Sequence, residues 1–412
     1  MKKLIYTFAL VLIVHCTLYI ENCMAQWVQM PNGMGTSLSV NGLAISGNNI
    51  FAGTGNYPSL TGVYLSTNNG ENWTQTALNN CEVGDVATLG NNIFAGVVYN
   101  GKGFYRSTNN GTSWTLTGLN NLTIQALAIL GTDVFAGTHD SGVYRSTNNG
   151  TNWIHTSLNN KTVYSLAVSG NNIFAGTNGY GVCLSTNNGT DWTQVGLISE
   201  QVISLGVSGN NIFAGTNGFG NYVTTNNGMN WAQISLSSLY VNTFAVTGNN
   251  IFAGGGGIPG YGVFLSTNNG TSWTEINQGF PAYPHVRALL IANNYIFAGI
   301  IDISVWRRPL SEIINSVNNI STEIPSSFSL SQNYPNPFNP TTKISFQLSV
   351  AGFSSLKIFD LLGKEVATLV NETLKPGTYT AAFDGSQLPS GVYLYRLTTN
   401  EYTSAKSMLL IK

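Results

Sequence analysis

From residue 37 to residue 308 apolar and polar positions alternate in short runs, each broken after a few residues by Asn-Asn, Asn-Gly or Gly. A two-residue period is that of a half-buried strand, and the three-to-four spacing of an amphipathic helix is absent. The runs repeat. Phe-Ala-Gly recurs at Phe51, Phe94, Phe135, Phe174, Phe213, Phe252 and Phe297, at intervals of 43, 41, 39, 39, 39 and 45 residues. A period near 40 with four short strands per unit predicts the blades of a β-propeller. In the first unit the strands are expected at Ser37–Ser46 (A), Asn49–Thr54 (B), Gly62–Thr67 (C) and Asn72–Leu78 (D), with Asn-Asn and Asn-Gly supplying the left-handed turn residues.

The ends of the array set the blade count. Six copies of Ser/Thr-Thr-Asn-Asn-Gly-x-x-Trp end at Trp73, Trp114, Trp153, Trp192, Trp231 and Trp273, one fewer than the Phe-Ala-Gly strands. The seventh unit runs out at Val305-Trp306-Arg307-Arg308, while Gln26-Trp27-Val28-Gln29-Met30 reads as a fourth strand without a unit of its own. Seven blades follow, the last closed by the N-terminal strand, which removes the open sheet edges.

Composition narrows the function. Of 412 residues 43% are hydrophobic and only 8% are Asp, Glu, Lys or Arg, with 16 basic against 17 acidic. Nucleic acids and anionic lipids are held through clustered Lys and Arg, so neither is an expected partner. Met1-Lys2-Lys3, the apolar run Leu4–Ile20 and the small Ala25 make residues 1–25 a signal peptide, and no transmembrane anchor is expected after its removal. Cleavage leaves Cys81 and Cys183 at non-equivalent repeat positions, which indicates neither a disulfide framework nor a metal site; no cofactor is expected.

The box Ser66-Thr67-Asn68-Asn69-Gly70-Glu71-Asn72-Trp73 and its five copies resemble the Asp-box, or BNR, element of bacterial neuraminidases, sortilin-type propellers and photosystem II assembly-factor propellers. One departure is uniform: Asn68, Asn109, Asn148, Asn187, Asn226 and Asn268 stand where that element has Asp. An amide carbonyl can still cap the turn, so the box reads as a clip between strands C and D, with its Trp packed between blades. Neutral amides are poor calcium ligands.

The neuraminidase resemblance implies three converging arginines, a Tyr-Glu nucleophile and an acid-base Asp. The propeller holds Arg106, Arg145, Arg287, Arg307 and Arg308; the first two share a repeat position and are expected to radiate from neighbouring blades, and the last two belong to the final strand. The D-to-A and B-to-C loops share one face and carry few carboxylates: Glu82, Asp140, Glu200 and Asp302. No catalytic residue is assigned. Aromatic and histidine side chains are more abundant there, and Tyr57, Tyr99, His139, Asp140, Tyr180, Phe219, Tyr240, Tyr261, Tyr283 and His285, with Phe280 beside them, are candidates for gripping a glycan or a protein.

After Arg308 the repeat stops. Residues 311–327 read as a polar linker, and Phe328-Ser-Leu-Ser-Gln-Asn-Tyr-Pro-Asn-Pro-Phe-Asn-Pro340 opens a run of six or seven short strands, an immunoglobulin-like β-sandwich over residues 328–412. Pro335-Asn336-Pro337-Phe338, Gly391, Tyr393 and the terminal Lys412 resemble the type A sorting domain of the type IX secretion system. That resemblance implies passage through the outer membrane of a Gram-negative bacterium, the secretion machinery as a partner, and display on the surface or release. The whole reads as an all-β chain, a seven-bladed propeller over 26–310 and a small sandwich, exported to bind a glycan or a protein without catalysis. The alternative is a secreted glycoside hydrolase of neuraminidase-like architecture.

Overall fold

A computed structural model of the chain describes residues 26–412 except 219, 237–238, 258–260, 314–316, 322 and 386–387; the expected signal peptide and Phe219 lie outside the described residues. The chain divides into two compact units between Arg308 and Pro309. The first contains seven four-stranded antiparallel sheets, six of them in the sequential order A-B-C-D and the seventh with the N-terminal strand in the D position. In blade 1 the strands are Val40–Ser46, Asn49–Asn56, Ser59–Ser66 and Thr74–Gln75. Strand D is thus far shorter than the Asn72–Leu78 expected, because the box turn occupies the residues up to Trp73.

Strand B departs from simple alternation. Ile50 to Thr54 are all buried, and so are their counterparts in every blade, since neighbouring blades cover both faces of the sheet. The seven phenylalanines of the repeat are each 0% exposed. The core accordingly lies between blades: Phe51 and Val63 of blade 1 share one cluster with Val83, Val86, Ile93 and Ala95 of blade 2.

The box is a repeated hydrogen-bonded clip. In the second copy Ser107 Oγ accepts from Gly111 N at 2.9 Å and donates to Asn109 Oδ1 at 2.9 Å, while Asn109 Oδ1 accepts from Ser113 N at 3.0 Å. The same pattern holds in the other five, so asparagine fills the capping role with its carbonyl oxygen. The box glycine is needed twice over: Gly270 has φ +83°, and a Cβ there would come within 2.5 Å of the Phe213 ring one blade back. The tryptophans also reach back one blade, Trp153 edge-on to Phe104 at 4.7 Å and Trp114 Nε1 to Thr76 Oγ1 at 3.2 Å. Replacing the buried Ser107 with alanine leaves the Gly111 N–H without its acceptor; a loss of about 1–2 kcal/mol in denaturant melts is the expected result.

Blade 7 joins Val286–Ala292, Tyr295–Ile300 and Ser304–Pro309 to the N-terminal strand Val28–Gln29, with Val28 opposite Arg307 and Gln29 opposite Trp306. Trp27 is 1% exposed, stacks on Phe280 at 4.6 Å and donates from Nε1 to Ile276 O in blade 6. Asn32 O accepts from Trp73 N in blade 1. One short segment therefore ties blades 6, 7 and 1 together. Phe280, counted from sequence among the ligand-facing aromatics, instead seats this closing segment.

The second unit packs two four-stranded sheets face to face over a core including Phe346, Leu356, Ile358, Tyr395 and Leu397. Its strands are Val317–Ser321, Ser329–Leu330, Thr341–Leu348, Gly352–Phe359, Glu365–Leu374, Gly377–Asp384, Gly391–Thr399 and Thr403–Leu410. The first of these corrects the linker reading of residues 311–327: Val317 to Ser321 pair with Gly377–Asp384 as a sheet edge.

Candidate functional site

Strand A is the innermost strand of each blade, and in all seven it begins alike. A fully buried β-branched residue (Val40, Val83, Ile124, Val163, Val202, Val241, Val286) precedes a shift in the pairing register. The residue at the shift is left out of the ladder, and a bulge of this kind re-aims a side chain. These residues are Asn41, Gly84, Gln125, Tyr164, Ile203, Asn242 and Arg287, and all seven line the central channel.

The ring they form borders two cavities. Inward lies a bore of about 210 Å³ bounded by the following strand A residues. Outward, on the face of the D-to-A and B-to-C loops, opens a mouth of about 530 Å³ that adds Glu82, Val98, Asn217, Tyr240 and His285. Its size suits a small ligand or the end of a larger one.

Several ring residues also stitch each blade to the next. Asn41 Nδ2 donates to Val83 O at 2.9 Å and Asn242 Nδ2 to Val286 O at 3.0 Å; Arg287 Nη1 donates to Asn41 Oδ1 at 3.1 Å. Asp85, in the bore, accepts from Val86 N and Leu127 N, each at 2.8 Å, and desolvation pushes its carboxyl up to about 7 against those two bonds. Thr243 at the same repeat position accepts from Leu289 N at 3.2 Å, so this position serves as an inter-blade clip. Gln125 Oε1 is buried and has no hydrogen-bond partner among the described residues.

The charged groups of the mouth balance. Burial raises the Glu82 carboxyl, opposed by Arg287 and by the Tyr57 backbone N–H. Burial lowers Arg287, opposed by Glu82 and then Asp302. Burial, with Arg287 second, holds His285 below the usual imidazole range, which leaves it neutral at pH 7. Tyr240 and His285 lie over the Gly254–Gly257 run: a Cβ at Gly256 would approach the His285 ring to 2.6 Å, and one at Gly257 the Tyr240 ring to 2.8 Å.

Of the residues selected from sequence, Tyr240 and His285 line the mouth. Tyr57 and Tyr99 meet edge to face at 5.1 Å, with Tyr99 opposite Glu82 in the ladder. Tyr261 and Tyr283 meet likewise at 5.2 Å, two residues before His285. The two pairs thus belong to blades 1 and 2 and to the stretch from blade 6 to blade 7. His139 and Asp140 stand elsewhere: their side chains pair at 2.7 Å, and Asp140 Oδ1 accepts from Thr162 Oγ1 at 2.7 Å, a clip from blade 3 to blade 4. That bond, foremost, holds the Asp140 carboxyl below the usual range. Asp302 and Ser39 repeat the clip from blade 7 to blade 1 at 2.7 Å. Tyr180 lies under Lys161 Nζ at 4.3 Å, away from the mouth lining. Arg106 and Arg145 stay in their own blades, on Asn92 and Asp133.

Arg287 and the rest of the ring were missed from sequence. Each stands ten positions before the phenylalanine of its Phe-Ala-Gly, as Asn41 to Phe51 and Arg287 to Phe297. That position varies freely inside an otherwise near-identical repeat.

In the sandwich Phe338 is buried, accepts from Ile411 N at 3.0 Å and donates from its N–H to Leu409 O at 2.9 Å. Buried Asn333 anchors the other side, donating to Pro335 O and Thr342 Oγ1, each at 3.0 Å. Between these anchors Tyr334 to Pro337 are exposed, Tyr334 at 82%, and Asn336 Oδ1 accepts from Leu409 N at 2.9 Å. Tyr393 is buried with its hydroxyl on Pro389 O, Gly391 pairs with Leu410, and Lys412 N donates to Ser390 Oγ.

No curated protein matches the chain by sequence. No described helix is long and apolar enough to cross a membrane. Among solved structures the chain is similar to YCF48 bound to D1 peptide and to YCF48 from Cyanidioschyzon merolae, each at 16% identity and a TM-score of 0.54 over 69% of this chain, covering 96% and 99% of those chains. Residues 332–412 match the family described as "Secretion system C-terminal sorting domain". The chain is therefore a seven-bladed β-propeller followed by a β-sandwich that carries a type IX secretion sorting domain, and it is an exported protein.

Proposed function

We propose that the propeller is a non-enzymatic binding module displayed on or released from the cell surface, and that its ligand, glycan or protein, enters the channel mouth. The observation that carries this reading is the mouth itself: about 530 Å³, floored by seven bulge residues and walled in part by Tyr240 and His285. The YCF48 propeller bound to D1 peptide gives a precedent for a ligand on this fold. A retaining or inverting hydrolase needs two carboxyl groups across its substrate. Glu82 is the one carboxylate among the described mouth residues, and Asp85 in the bore is committed to two backbone N–H groups.

Arrays of glycans and peptides probed with residues 26–412, beside a panel of fluorogenic glycosides, test the proposal. Retention without turnover is expected, reduced about tenfold or more by Tyr240→Ala with His285→Ala. Turnover abolished by Glu82→Gln would establish the hydrolase instead.

A further inference from the structure

We infer that the mouth takes the uncharged end of a glycan, in preference to an acidic sugar or a charged peptide terminus; this rests on the binding reading above. Three features of the mouth point the same way.

The first is charge. Arg287 is the only cation lining the mouth among the described residues, and it is already faced by Glu82 there and by Asp302 nearby. A carboxylate or phosphate ligand needs uncompensated donors. Here it would have to enter against Glu82, while His285, held neutral, adds no positive charge. A charged terminus of either sign meets one like and one opposite charge in the same cavity, and so loses hydration without a net attraction to offset it.

The second is the polar inventory. Asn41 is committed to Gly55 O, Val83 O and Arg287, but Asn217 and Asn242 line the opening with one N–H each given to the protein, to Gln201 Oε1 and Val286 O, and the Tyr164 hydroxyl beside them accepts from Gln201 Nε2. An amide offers a donor and an acceptor side by side, which matches neighbouring hydroxyls on a sugar ring.

The third is aromatic placement. Tyr240 lines the mouth wall, and beyond that lining the Tyr57–Tyr99 and Tyr261–Tyr283 pairs meet edge to face, with Tyr57 and Tyr283 strongly exposed, at 65% and 76%. Such faces carry further sugar units by stacking once the terminal one is seated. The sugar chain then runs outward from Tyr240 onto one of these exposed pairs.

The test is binding of residues 26–412 to immobilised neutral oligosaccharides, to matched oligosaccharides ending in sialic or uronic acid, and to peptides with free and capped termini. Neutral ends are expected to be retained and acidic ends to be weaker. Glu82→Gln, which keeps an acceptor for the Tyr57 N–H, is expected to shift the ratio of acid-terminated to neutral binding about tenfold towards the acid-terminated probes. Thermal melts confirm that the variant is folded. Stronger binding of acidic ends by the native protein, or no such shift with Glu82→Gln, would overturn the inference. Retention of peptides alone, lost with Tyr240→Ala, would overturn it and leave the mouth as a protein-binding site. Absence of any ligand sensitive to Tyr240 and His285 would overturn both readings.

Discussion

Removing Gln26 to Pro31 opens the propeller. The deletion takes away the fourth strand of blade 7 and the Trp27 side chain, and leaves Ser304–Pro309 as an unpaired edge. Loss of cooperative melting and concentration-dependent aggregation are the expected results. The single substitution Trp27→Ala is milder and easier to quantify. Deleting a fully buried indole costs about 3–5 kcal/mol, which for a unit of this size lowers Tm by roughly 10 °C. Calorimetry of either variant with an unchanged propeller transition would contradict closure by the N-terminal strand.

Export depends on the second unit. Without Phe328 to Lys412 the chain lacks the sorting domain, and the propeller is expected to accumulate inside the cell envelope instead of reaching the surface or the medium. Fractionation with an antibody to the propeller reads this directly. Phe338→Ala gives the intermediate case. The ring is 2% exposed and packs on Phe383 at 5.9 Å, so truncation costs about 3–5 kcal/mol and is expected to reduce export through an unfolded sandwich. Undiminished surface display of the truncated chain would contradict the role of the tail.

Much of this architecture was legible because the repeat is its own alignment. Seven Phe-Ala-Gly strands against six boxes required a shared blade, and the Trp27–Met30 segment was the piece left over. The box could be read as a clip because an Asn carbonyl accepts the same N–H an Asp would, and Asn68 Oδ1 does so from Asn72 N at 3.0 Å. Val317–Ser321 was not legible: a single polar edge strand bonded to a partner some 60 residues later leaves no local pattern.

The site was half legible. Loop aromatics could be placed on one face from strand order, and Tyr240 and His285 do line the mouth. What decided the rest was a bulge, which a period-two pattern does not show: by alternation alone Arg287 follows buried Val286 as an ordinary outward residue. His139-Asp140 lies apart from that ring, and its local contacts could not be read from sequence either. Adjacent in sequence, the pair belongs to an inter-blade clip whose other member, Thr162, comes 22 residues after Asp140.

The most direct test of the channel mouth as the binding site is the affinity of residues 26–412 for a ligand retained from the arrays, measured by calorimetry before and after Tyr240→Ala. Tyr240 is 40% exposed, so the variant is expected to melt close to the native protein. A loss of about tenfold or more in affinity is the expected result. An affinity unchanged by that substitution, and equally by His285→Ala, would place the ligand elsewhere on the molecule and contradict the central claim.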